Sequence, residues 1–214
     1  MNFEKLVETI HHTHSHLQTR AFLAIGQSLT IRNWLLGFYI VEYQQNKSSR
    51  AKQGQKMLAS LAKKIEHNVN GMNEHYLRDC RLFYNTYPQI EKVIGEFFLP
   101  KTIWWATIPK LKKIKKDTLI GASPEVFITR LTYSHIVKLI REPELLKRTF
   151  YEVECIRGNW SVAELQRQMD NLLYECTSLS KDELIKIINE KAAKLTPHDL
   201  IKNPYVFEFV GLKK

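Results

Sequence analysis

Residues 148–173 read RTFYEVECIRGNWSVAELQRQMDNLL, and this stretch sets the fold class. Ser161 stands where a helix N-cap is wanted, with Glu164 three residues on, the S-x-x-E capping box. Trp160 precedes the cap and Leu165 falls at the fourth helical position, the pair that makes a hydrophobic staple. Val162, Leu165, Met169, Leu172 and Leu173 then recur on one helical face, leaving Arg167, Gln168 and Asn171 on the other. Upstream, Leu146, Phe150, Val153 and Cys155 or Ile156 form a second amphipathic run that starts at Pro143 and stops at Gly158, read as a C′ glycine. The sequence predicts two helices, about 143–157 and 162–176, joined by Gly158-Asn159-Trp160-Ser161, a connection of helix–turn–helix length.

Working outward, the same 3.6-residue spacing recurs along most of the chain, and only 8 Gly and 7 Pro interrupt it. A mainly α fold follows. Phe3, Leu6, Val7 and Ile10 open one amphipathic stretch; Leu17 to Gln45 makes a longer one, which Gly26 and Gly37 are expected to bend or break. Asn46 to Gly54 reads as a polar connection, and Met57 to Val69 as a helix. Asn73 is an N-cap for a helix whose Tyr76, Cys80, Phe83, Tyr84 and Tyr87 share one stripe, and Pro88 stops it. Ser123-Pro124 and Thr132 start further helices, and Ser180 with Glu183 makes another capping box. This organisation divides into a long-helix region, 1–70, and a helical domain, 71–214, that contains the 143–176 unit.

Charge bounds the partners. Lys and Arg number 32 against 22 acids, a net charge of +10, and such an excess favours polyanions, chiefly nucleic acid. Lys110, Lys112, Lys113, Lys115 and Lys116 crowd into one short run, a pattern that neutralises phosphates without reading sequence. Arg167, Gln168 and Asn171 are residue types that contact base edges or phosphates. On spacing alone, an ordinary helical hairpin with a solvated polar face competes with that reading. Trp104 and Trp105 can stack on bases or serve packing. No apolar run is long enough to cross a membrane, and the three cysteines, Cys80, Cys155 and Cys176, lack CxxC spacing and fit reduced thiols of a cytoplasmic protein.

Catalytic patterns are poor. The chain carries no P-loop, no G-x-G-x-x-G, no HExxH and no G-x-S-x-G elbow. His12 and His16 stand at i, i+4 within HHTHSH, but no carboxylate or cysteine joins them at ligand spacing. Neither cofactor nor metal is expected.

Six stretches in order resemble one family: Asn33–Gln45 (NWLLGFYIVEYQQ), Arg50–Gly54 (RAKQG), Asn73–Pro88, Leu131–Ile140 (LTYSHIVKLI), Arg148–Glu175 and Asn203–Leu212 (NPYVFEFVGL). The chain is similar to the N-terminal domain of YhcG-type bacterial proteins, a domain of unknown function that usually precedes a PD-(D/E)xK nuclease domain. It departs from that pattern with Tyr133 where Trp is usual, and with a 89–122 segment that has no counterpart. The resemblance implies a winged-helix-like, DNA-directed helper module without the nuclease motif, acting beside a nuclease domain or subunit. On it, Arg167 and Gln168 touch DNA and the five lysines hold phosphates. The alternative is an assembly module, a homodimer or a partner dock, built on the Leu17–Gln45 segment.

Overall fold

The computed structural model describes residues 2–46, 51–66, 69, 71–93, 121–177 and 179–195. Lys110, Lys112, Lys113, Lys115, Lys116, Trp104, Trp105 and the 203–212 stretch lie outside these residues. Helices dominate, and no strand occurs among the described residues.

The first helix, α1, runs unbroken from Phe3 to Asn46. Neither glycine breaks it. Gly37 instead marks the closest approach of two helices: a Cβ there would lie 2.0 Å from the Cys80 carbonyl oxygen. That carbonyl belongs to α3, Glu74–Thr86, capped as expected by Asn73, which accepts from Tyr76 N–H. Asn33 Oδ1 accepts from Tyr76 Oη at 2.6 Å, Gly37 meets Cys80 and Phe38 meets Tyr84 edge-on, so α1 and α3 pack closely against each other. Between them in the chain lies α2, Ala51–Glu66. Its Leu58 and Ala62 pack with Ile40 and Leu77. This helix begins six residues earlier than the polar run suggests, because straight-chain Lys and Gln are good helix formers even without an apolar stripe.

After Tyr87 the chain turns through a 3₁₀ segment, Pro88–Ile90. From residue 121 onward the described residues form α4 Pro124–Arg130, α5 Tyr133–Leu139, α6 Leu145–Gly158, α7 Val162–Asp170 and α8 Lys181–Ala193. The capping residues read from the sequence do their work here. Ser123 accepts from Val126 N–H, and Ser180 closes a reciprocal box with Glu183. One core joins these helices to the C-terminal half of α1, from Trp34 and Phe38 through Phe83, Phe127, Ile136, Tyr151 and Leu165 to Ile188. The indole of Trp34 donates 2.9 Å to Tyr87 O, so the largest core side chain leaves no polar group unmet. No described helix is long and apolar enough to cross a membrane.

Candidate nucleic-acid interface

The turn between α6 and α7 is fixed by local chemistry. Asn159, not Gly158, takes the left-handed position after the helix, with φ 47° and ψ 48°. Its N–H donates to Ile156 O, and Trp160 N–H donates 3.0 Å to Cys155 O, a Schellman cap. Gly158 is the last residue of α6, and it is small for another reason. A Cβ there would sit 2.3 Å from Trp160 Nε1, so glycine makes the space the indole occupies. The Trp160 carbonyl is held by His135 Nε2 at 3.0 Å, while His135 Nδ1 lies 2.8 Å from Thr132 Oγ1. Burial lowers the pKa of this imidazole, so the neutral ring donates from Nε2 and accepts at Nδ1. One residue thus closes the cap of α5 and pins the α6–α7 turn.

Ser161 caps α7, its Oγ accepting 3.1 Å from Glu164 N–H. Glu164 does not close the box. Its carboxylate turns along the helix, pairs with Arg167 and accepts 2.5 Å from Gln168 Nε2. The Arg167 guanidinium and the Gln168 amide together hold the Glu164 carboxyl below its usual range. Two donors at i+3 and i+4 outcompete one backbone N–H at the cap.

The expected 162–176 helix is shorter in fact. It closes at Asp170, and Leu172 sits in the left-handed region, φ 54°. Leu172 is therefore exposed rather than part of the apolar stripe, and Leu173 and Tyr174 pack in its place. Tyr151, buried on α6, fixes this reversal: its hydroxyl accepts 3.2 Å from Tyr174 N–H and donates 3.4 Å to Gln168 O. Lys147 ties the same turn down through Glu175 at 2.5 Å and Glu142 at 3.4 Å.

The result is a short helix held at its start by Ser161, Trp160 and His135 and at its end by Tyr151. Its exposed side chains, Ala163 apart, are polar. The Arg167 side chain is 67% exposed, Asn171 is exposed and Gln168 is half-buried.

The DUF1016 N-terminal domain matches residues 9–176, from α1 to the turn that Tyr151 and Lys147 hold. The chain belongs to this family. A protein of Escherichia coli (strain K12) named "Putative nuclease YhcG" is 29% identical over 220 residues, covering 99% of this chain and 56% of its own length. The chain thus spans about half the length of that curated relative. No solved structure matches.

Within this DUF1016 N-terminal domain, most charges around the α6–α7 hairpin are already paired. Arg157 and Lys191 share Glu154, Arg141 meets Asp79, and Gln166 Nε2 donates 2.7 Å to Asp170. The side chains that are described hold 19 Lys and Arg against 17 Asp and Glu. The excess of the whole chain therefore resides in stretches such as Lys47–Lys56 and Lys110–Lys116, which carry only basic charges. An open groove between α1 and α3, lined by Gln44, Arg78, Arg81 and Asn85 beside Val41 and Leu82, is a further cationic feature that sequence spacing left unremarked.

Other sequence candidates are also placed. His12 and His16 stack their rings 6.2 Å apart, and among the described residues no group of three or more His, Cys, Asp or Glu is positioned for a metal ion. Cys80 and Cys155 are buried, which pushes their thiols up to about 11 and about 12, away from the reactive thiolate; Cys176 is exposed. Tyr133 Oη lies 3.4 Å from Cys80 Sγ. Glu152 is the buried group that sequence reading passed over. Its carboxylate accepts 2.9 Å from Ala122 N–H and faces Tyr87 and Arg148, and burial pushes its pKa up to about 7. The signal was present: Glu152 falls on the inner face that Thr149, Val153 and Ile156 define, all four of them buried.

Proposed function

We propose that this chain is a non-catalytic nucleic-acid-binding module that serves a PD-(D/E)xK-type nuclease, with DNA as the polyanion. The observation that carries this reading is α7, a short helix with both ends anchored whose exposed side chains, Ala163 apart, are polar. Arg167, Gln168 and Asn171 are its contact set, and Lys110, Lys112, Lys113, Lys115 and Lys116 add phosphate contacts without reading sequence. In this reading α6 and α7 act as a helix–turn–helix within 71–214, residues 1–70 are a long-helix region that shares its core through Trp34 and Phe38, and the protein works in the cytoplasm with its thiols reduced. The name of the Escherichia coli relative supports the nuclease link. Glu164 is the brake on this face, because it already occupies Arg167 and Gln168.

Duplex binding at several salt concentrations is the test. Log K is expected to fall about linearly with log salt, by about 0.9 for each phosphate neutralised. Arg167→Ala is expected to weaken binding. Absence of binding at low salt, or binding indifferent to salt, refutes the proposal.

A second reading has its own observation. Phe3, Val7, Ile10, Leu17, Phe22, Ile25 and Leu29 are exposed along α1, and a monomer seldom leaves so long an apolar stripe in water. On that reading the module assembles with another protein, a second copy first among them.

A further inference from the structure

From Asn2 to Leu29 no described side chain is buried, and Thr30 is the first that is. The N-terminal two-thirds of α1 thus stands clear of the core. Of the large apolar residues exposed there, all but Leu6 share one face. At 100° per residue Phe3, Val7, Ile10, Leu17, Phe22, Ile25 and Leu29 fall within about 140° of arc. Trp34, Phe38 and Val41, which bury α1 in the body, point to the opposite side. These seven side chains are between 42% and 78% exposed. They offer on the order of 700 Å² per copy, against about 800 Å² per partner in a standard interface.

The spacing says what the stripe fits. Phe3, Val7 and Ile10 are four and then three residues apart; Phe22, Ile25 and Leu29 are three and then four. The pattern reads the same in both directions about residue 16. We infer that two copies of this chain pair antiparallel through α1, on a two-fold axis beside Leu17; this rests on the assembly reading and gives it a geometry. Phe3 then lies against Leu29 of the second copy, Val7 against its Ile25 and Ile10 against its Phe22. Leu17 meets Leu17 of the second copy, about 3 Å apart along the axis. His14, which interrupts the stripe, faces Gln18, so the polar break is matched as well. A parallel pairing matches each residue only with itself and leaves the mirrored spacing without a role. The two-fold arrangement is the common closed symmetry of homo-oligomers.

The test uses the full chain without DNA. Light scattering at micromolar concentration is expected to give a dimer. Ile10→Glu combined with Phe22→Glu is expected to weaken dimerisation by at least roughly a hundredfold, with the thermal unfolding of the body unchanged because both side chains are exposed. In a Cys176→Ser background, mild oxidation is expected to cross-link Leu17→Cys to itself. Phe3→Cys alone is expected to stay uncross-linked, and Phe3→Cys with Leu29→Cys to cross-link. A monomer overturns both the pairing and the assembly reading. A dimer that ignores the glutamates, or one in which Phe3→Cys cross-links to itself, overturns only the pairing described. Failed duplex binding bears on the nucleic-acid reading alone.

Discussion

Gly37 and Glu152 are the residues whose roles depend most on what lies across from them. A methyl group on Gly37 would sit 2.0 Å from a backbone oxygen of α3, and backbone cannot rotate away. Gly37→Ala is therefore expected to cost about 3 kcal/mol or more, although alanine is the better helix former, and urea denaturation reads it directly. Glu152 has a pH signature. Its folded pKa, about 7, is above the ordinary 4.5, so below pH 4.5 it is neutral in both states and carries no penalty. Between pH 4.5 and about 7 the unfolded chain ionises first, and stability falls as pH rises; above that window the loss is complete, roughly 3 kcal/mol. Glu152→Gln keeps an acceptor for Ala122 N–H and removes the ionisation. The variant is expected to gain on the wild type steadily from pH 4.5 to 7 and to exceed it at pH 8, measured by denaturation across that range. Equal pH profiles would refute this account of Glu152. The sequence shows a glycine in a helix and a glutamate in an apolar stripe. It cannot show the neighbour that gives each its role, because both neighbours are remote along the chain.

At the scale of elements, most helix starts were legible, and the end of α7 was not. Asn73, Ser123 and Ser180 each accept from an N–H three residues on, an interaction contained in four residues and so visible in a short quotation. The end of α7 is different. Leu172 and Leu173 continue the apolar period, yet Tyr151, about twenty residues earlier, draws the chain round at Gln168 and Tyr174. The α6–α7 turn carries a clean test of its cap. Asn159→Ala places a β-carbon residue without Asn's local hydrogen bonding at φ 47° and is expected to cost about 1 kcal/mol, whereas Asn159→Gly is expected to cost nothing measurable. Thermal melts of the two variants decide it. Glu164→Gln probes the face rather than the fold. It releases Arg167 from its ion pair, and on the proposed function duplex binding is expected to tighten severalfold while stability changes little. Weaker binding in that variant would count against α7 as the contact helix.

For the whole molecule, charge and shape divide the chain in different ways. The folded body is nearly neutral in its described side chains, and the basic excess is concentrated in a few stretches of sequence. If phosphates are held as proposed, replacing Lys110, Lys112, Lys113, Lys115 and Lys116 with Gln lowers the slope of log K against log salt by about 0.9 for each phosphate no longer neutralised, up to about 4.5. A slope left unchanged in that variant assigns the salt dependence elsewhere, with Arg78 and Arg81 of the α1–α3 groove the next to be replaced. Shape follows α1. Its C-terminal third is the spine of the core, and the remainder projects with an apolar stripe on the side away from the body.

By itself the sequence determined that this protein is helical, where most helices begin, which family it belongs to and that its charge favours polyanions. These follow from period, caps and composition, all of which act within a few residues or over the chain as a sum. Tertiary structure decided that α1 is one helix, that Gly37 is a contact and not a break, and that α7 ends at Asp170. The last two turn on remote partners, the Cys80 carbonyl and the Tyr151 hydroxyl. Both depend on distances that exist only once the helices have packed.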